Sequence, residues 1–243
     1  MDGFINLDKP VGISSAKALY RVRRICGVRK SGHTGTLDPM ASGVLVICTG
    51  RATRMVERVM DQPKIYRATV RLDLTSPSYD AEKETTAVQV PSPPTIERVQ
   101  EAVDSFVGEI DQRPPAFSAL KVRGVPAYKL ARREQPVELP ARRVNIYWSV
   151  VHQYEWPVLD LEVACGRGTY IRSLVRDIGE HLDTGGCLMT LSRRAVGPFA
   201  SSNSWTFERM ETASPDGYIL PLDAMKAVLE ATPVAIPPRP PVA

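Results

Sequence analysis

Gly32-His33-Thr34-Gly35-Thr36-Leu37-Asp38-Pro39-Met40-Ala41-Ser42-Gly43-Val44-Leu45-Val46-Ile47 is the stretch where the polar and apolar habits of this chain meet. Three glycines, a proline, an aspartate and small hydroxyl residues run into an unbroken apolar segment. That pattern reads as a shaped loop feeding a buried strand. Gly32, Gly35 and Gly43 permit backbone angles or close approaches that a side chain would forbid. Pro39 fixes its own φ and biases Asp38 toward an extended conformation, so the Asp38 carboxylate is carried on stiff backbone. Taken alone, an Asp-Pro step in a glycine-rich segment is simply a turn.

Upstream of the loop the pattern gives a short strand over residues 3–7, a Lys9-Pro10-Val11-Gly12 turn and a helix over 16–26. Ser14 or Ser15 supplies the hydroxyl N-cap and Gly27 ends the helix. Spacing leaves Lys9 equally open to being a solvated turn lysine. Downstream, Thr49 is expected to cap a second helix over 52–60, with Arg51, Arg54 and Arg58 along it. Residues 66–74 alternate strictly, with Tyr66, Ala68, Val70, Leu72 and Leu74 on one face, as a half-buried strand does. A helix over 95–107 follows the prolines of 91–94, and two more alternating strands cover 144–150 and 159–165. After Gly166-Arg167-Gly168, Ile171, Leu174, Val175, Ile178 and Leu182 form the apolar stripe of a helix over 170–182. A returning strand spans 188–196, and the pattern from Ser201 onward is less ordered. Five prolines among residues 233–243 predict a flexible tail.

Composition sets the class. With 243 residues, 43% hydrophobic and 24% charged, the chain can bury the core of one large domain or of a main domain with an appendage. No apolar run approaches a membrane span and Met1-Asp2-Gly3 opens no signal peptide, so a cytoplasmic protein is expected. Cys26, Cys48, Cys165 and Cys187 are widely spaced, with no CxxC, which predicts free buried thiols and no zinc site. The net charge of +4 is unevenly placed: residues 1–60 carry ten Lys/Arg against four acids, and residues 113–143 carry eight against two. Two basic stretches in a near-neutral chain suit a polyanion, although solvated helix faces would look the same.

Residues 32–47 resemble the catalytic motif of the TruB family of RNA pseudouridine synthases, and Lys9-Pro10-Val11-Gly12-Ile13-Ser14-Ser15 resembles the lysine-proline motif near that family's N-terminus. The similarity continues through Tyr66, Thr169-Tyr170-Ile171-Arg172 and Leu191 and covers roughly residues 3–200. It implies an α+β fold with a mixed, largely antiparallel central sheet and flanking helices. It also implies a catalytic domain over 1–230 containing a basic, RNA-contacting insertion at about 112–143, with 231–243 as the tail. Two departures are Ser192, where an arginine often follows the leucine, and Lys83, where glycine is usual. Family members commonly carry a further RNA-binding domain after the catalytic one. This chain ends instead in prolines, so weaker RNA affinity with intact chemistry is expected.

The resemblance implies isomerisation of a uridine in the T stem-loop of tRNA by a monomer using no cofactor and no metal. Asp38 is the nucleophile and Arg172 the cation that keeps it ionised, a pairing that would lower the carboxyl pKa. Tyr66 and Tyr170 hold the base; the ring of Tyr66 would otherwise be an ordinary core aromatic. His33 fills the space left by the extruded base, Leu191 lines the pocket, Gly32 and Thr34 join them on the substrate side, and Lys9 is grouped with them although its motif in the family supports the active-site loop. From residue type alone His33 and Leu191 are structural. Two other functions fit an Asp on a basic protein. One is a non-catalytic RNA-binding or chaperone module, which would tolerate Asp38→Asn. The other is a glycosidase, which wants a second carboxyl group near the first.

Overall fold

The computed structural model describes residues 1–118, 120–122, 124–131, 133, 135, 139–231 and 236–240. The chain divides into two compact units, the first holding Met1–Arg67 and Leu191–Pro238 and the second Ala68–Thr190 and Arg239–Ala243.

In the first unit β1 (Gly3–Lys9) runs antiparallel to β3 (Ala41–Thr49), from Gly3 opposite Thr49 to Lys9 opposite Gly43. The other edge of β3 is shared. Its end pairs with β2 (Ser31–His33) and its start lies parallel to β8 (Cys187–Val196), with Leu191 beside Ala41 and Arg193 beside Gly43. Nearly every residue of β1 and β3 is buried, as expected of strands covered on both faces. Phe4, Val44, Val46, Cys48, Val196, Phe199 and Leu229 form one core cluster. Burying each large side chain contributes about 1.5–3 kcal/mol.

Helix α1 (Ser15–Cys26) begins as predicted, with the Ser14 hydroxyl accepting from the Lys17 N–H, and ends at Gly27 with φ 65°. Thr49 does not cap a helix. Its hydroxyl instead bonds the backbone of Gly3, and the segment after it is a 3₁₀ turn, Gly50–Met55, leading into the short α2 (Val56–Met60). The arginine-rich sequence carried the period of a helix while the hydroxyl was claimed by the neighbouring strand.

Strand β4 (Lys64–Arg71) alternates buried and half-buried residues as read from sequence, and Leu74 falls in a separate short pairing with Ala87. In the second unit the order continues from β4 through β7 (Val158–Cys165) and β6 (Arg142–Glu155) to β5 (Gly108–Gln112). Strand β6 is antiparallel to both its neighbours, so the sheet is mixed and largely antiparallel. Helix α3 (Ile96–Ser105), capped by Thr95, packs on β6 and on α5 (Ile171–His181), and a short α4 (Ala127–Ala131) lies in the basic insertion. The stripe Ile171, Leu174, Val175, Ile178 and Leu182 is buried throughout.

The chain after Ser201 is more regular than its pattern suggested. It forms α6 (Phe207–Thr212), α7 (Pro215–Tyr218), strand β10 (Leu220–Pro221), paired with β1, and α8 (Leu222–Ala231); β9 (Phe199–Ala200) precedes them. The predicted flexible tail lies partly outside the described residues. Ile236, Pro237 and Pro238 line an apolar cavity of about 260 Å³ with Val228 and Leu229. None of the four cysteines is in a disulfide, all are buried, and burial pushes the Cys48 thiol up to about 12.

Candidate active site

The loop between β2 and β3 is held from three directions inside the first unit. Asp38 opens a tight turn in which its carbonyl accepts from the Ala41 N–H at 3.0 Å, with Pro39 at the second position where a fixed φ is favourable. The Ser15 hydroxyl accepts from the Leu37 N–H at 2.8 Å and donates to the Leu37 carbonyl at 3.0 Å, so the residue before Asp38 is clasped at both backbone groups. The Gly12 N–H donates to the Pro39 carbonyl at 2.7 Å, clasping the residue after it. Asp38 itself remains half-buried.

Lys9 organises the turn that supplies this support. Its ammonium is fully buried and donates to the carbonyls of Pro10 and Ile13, each at 2.8 Å. A lysine with no exposed surface does not meet a polyanion, so of the readings open to Lys9 its burial suits support of the Asp38 loop and not contact with substrate. Thr34 changes position likewise. It is fully buried, with its N–H and hydroxyl both donating to the Val46 carbonyl. Gly32 pairs with Cys48 at ordinary φ and needs no special backbone freedom, whereas Gly35 has φ 129° and Gly43 φ 96°. A methyl group on Gly43 would sit 2.3 Å from the Arg193 carbonyl oxygen, so this glycine lets β8 approach β3.

Tyr66 and Leu191 are 9% and 8% exposed, and each presents only a sliver of surface. His33 is half-buried, and among the described residues its buried Nδ1 has no hydrogen-bond partner. Burial, and then the charge of Arg193, push its imidazole below the usual histidine range. Sequence reasoning missed Arg193. Its guanidinium, 1% exposed, donates from Nε to the Val44 carbonyl at 2.7 Å and from Nη2 to the Gly35 carbonyl at 3.2 Å, and Nη1 lies 3.5 Å from the Tyr66 hydroxyl. In the sequence it is one of two consecutive arginines in an alternating strand, with nothing to distinguish inward from outward.

The other two expected site residues lie in the second unit. Tyr170 is the N-cap of α5 and makes no side-chain cap; its backbone is instead gripped by Gln112, which accepts from the Tyr170 N–H at 2.8 Å and donates to its carbonyl at 3.1 Å. The Arg142 guanidinium stacks 5.0 Å from the Tyr170 ring centroid. Arg172 is 5% exposed, not solvated at the helix end. It donates to the carbonyls of Ser78 and Phe117 at 3.2 and 3.0 Å, and lies 3.4 Å from the Asp80 carboxylate. Asp80, 1% exposed, accepts from the Ser78 hydroxyl and the Glu82 N–H. Within this unit Arg172 therefore has a buried carboxylate partner that its spacing in sequence, 92 residues away, concealed. Such a pair offsets the charge that the N-terminal end of a helix dipole otherwise disfavours.

Comparison with known proteins gives this arrangement a lineage. The structure superposes on Cbf5-containing complexes: a Cbf5-Nop10-Gar1 complex at 31% identity and TM-score 0.66, covering 85% of this chain and 52% of that one. An H/ACA RNP bound to a substrate RNA containing 2'-deoxyuridine aligns at 28% identity and TM-score 0.64, covering 85% of this chain and 51% of that one. The chain thus spans about half the length of these solved relatives. Residues 23–171 match the description "TruB family pseudouridylate synthase (N terminal domain)". The tRNA pseudouridine synthase B of Ralstonia pickettii (strain 12J) is 44% identical over 234 residues, covering 93% of this chain and 73% of the relative. That of Clostridium kluyveri is 42% identical over 226 residues, covering 92% and 77%. The chain belongs to the TruB family of pseudouridylate synthases.

Proposed function

We propose that this protein isomerises a uridine in the T stem-loop of tRNA to pseudouridine, acting as a monomer with Asp38 as its nucleophile. The observation that carries the reading is the double clasp around Asp38: Ser15 on Leu37 and Gly12 on Pro39, in a chain 44% identical to a tRNA pseudouridine synthase B. A half-buried carboxylate on a braced turn is suited to attack, because its orientation costs nothing further at the moment of reaction. The reaction exchanges bonds without net change in composition. The N1–C1′ bond of the uridine breaks, C5 joins C1′, and C5 gives up a proton while N1 gains one.

Tyr66, Tyr170, Leu191 and His33 are the residues assigned to the extruded base, and Arg172 to the charge. A stacked loop base costs a few kcal/mol to extrude, and aromatic surface and a vacated-space filler are what repay that cost. A neutral His33 suits contact with bases better than a protonated one would suit the buried Arg193 beside it.

The test is incubation of the protein with an unmodified tRNA transcript, with pseudouridine mapped by carbodiimide-dependent primer extension and Asp38→Asn in parallel. Pseudouridine at one T-loop uridine from the wild type and none from Asp38→Asn is expected. Release of free uracil would make the protein a glycosidase, and binding without product by the folded wild type would make it an RNA-binding module.

A further inference from the structure

The first unit contains a buried cation that the reaction as described does not use. Arg193 is 1% exposed, and among the described residues it forms no ion pair with a carboxylate. Burying a guanidinium without a counter-ion costs several kcal/mol unless its donors are well matched. Here they reach three parts of one assembly: Gly35, three residues before Asp38; Val44, in the strand that follows the loop; and the hydroxyl of Tyr66 on β4. The strand carrying Arg193 is held in place by Gly43, whose missing side chain admits the Arg193 backbone. Such an arrangement is unnecessary for core packing, since leucine or methionine would fill the space at less cost.

We propose that Arg193 is a positioning residue for the isomerisation, tying the Asp38 loop and the Tyr66 phenol into one rigid piece so that nucleophile and base-facing ring keep a fixed relation. This rests on the assignment of Asp38 and Tyr66 above. The role proposed for Arg193 runs through other residues and not through contact with the substrate. It acts through the Gly35 carbonyl and the Tyr66 hydroxyl, and its charge also bears on His33, the residue at the end of β2. A displacement of about 1 Å in such a frame is enough to cost a hundredfold in rate.

The experiment compares the full-length wild type, Arg193→Met, Arg193→Lys, Tyr66→Phe and the double variant Arg193→Lys/Tyr66→Phe. Single-turnover pseudouridine formation is measured with the variants saturating the tRNA transcript, alongside tRNA affinity and NMR titration of His33. Arg193→Lys keeps the charge and most of the volume but lacks the planar fork that reaches three acceptors. It is expected to slow the chemical step tenfold or more with tRNA affinity within about twofold. In the Tyr66→Phe background the same substitution is expected to cost less than it does in the wild type, because residues acting as one unit are not additive. Arg193→Met is expected to raise the His33 pKa, whereas Arg193→Lys keeps it low. Full additivity with Tyr66→Phe, an unchanged rate in folded Arg193→Lys, or a rate loss matched by an equal loss of affinity would each overturn the proposal. If Arg193→Met fails to fold, the lysine series alone decides. Failure of the parent assignment looks different: the wild type itself would make no pseudouridine.

Discussion

Ser15 and His33 are the residues whose substitution speaks most directly to how the Asp38 loop is held. Ser15, 1% exposed, serves both the N–H and the carbonyl of Leu37, so Ser15→Ala strands two buried backbone groups at once. Each orphan costs about 1–3 kcal/mol, and a loss of about 2 kcal/mol is expected in urea unfolding, with a slower chemical step at unchanged tRNA affinity. Wild-type unfolding midpoints in Ser15→Ala would refute this. The prediction for His33 concerns acid. Its folded pKa lies below the unfolded value of about 6.5, so the folded protein binds fewer protons there. The stability this neutral imidazole contributes is complete above about pH 6.5 and drains away as the pH falls from there through the folded value. Unfolding of the wild type and of His33→Gln between pH 8 and 5 measures it. The wild type should lose more stability on acidification, and parallel curves would dismiss the effect.

Between elements, the decisive joints are β3 against β8 and Gln112 against α5. Gly43→Ala places a methyl group 2.3 Å from the Arg193 carbonyl at a backbone angle of φ 96°, and is expected to cost about 2 kcal/mol or more and to abolish activity. A soluble, fully active Gly43→Ala protein would contradict the close approach. Gln112→Leu removes both bonds to the Tyr170 backbone at the uncapped start of α5. The expected result is faster amide exchange confined to the first turn of α5 and a reduced kcat. The elements themselves were legible wherever one face is buried: α5 showed its stripe and β4 its alternation, because burial on one side imposes a period on the sequence. Thr49 was misread because a hydroxyl is equally able to cap a helix or serve a strand, and the winner was a partner 46 residues away. Asp38, Tyr66 and Tyr170 are candidates that their motifs single out. Asp80 and Arg193 could not be found that way, since each earns its place through contacts with segments remote in sequence. Thr34 was marked by motif but grouped with the substrate side, because a motif records that a residue matters and not which way it points.

At the scale of the whole molecule, each unit carries one of the two basic stretches, residues 1–60 in the first and 113–143 in the second. A net charge of only +4 therefore understates the local attraction for a polyanion. Binding through several phosphates releases counter-ions, so tRNA affinity is expected to fall about tenfold or more between 50 and 200 mM salt, read as the slope of log affinity on log salt. A flat salt response would mean that the basic residues face solvent only. No helix among the described residues is long and apolar enough to cross a membrane. The burial of all four native thiols has a practical corollary. A single cysteine introduced on the surface would be the one site open to a maleimide dye or a nitroxide. A pair of such sites, one in each unit, would leave the core unaltered and report whether the distance between them changes when tRNA is added.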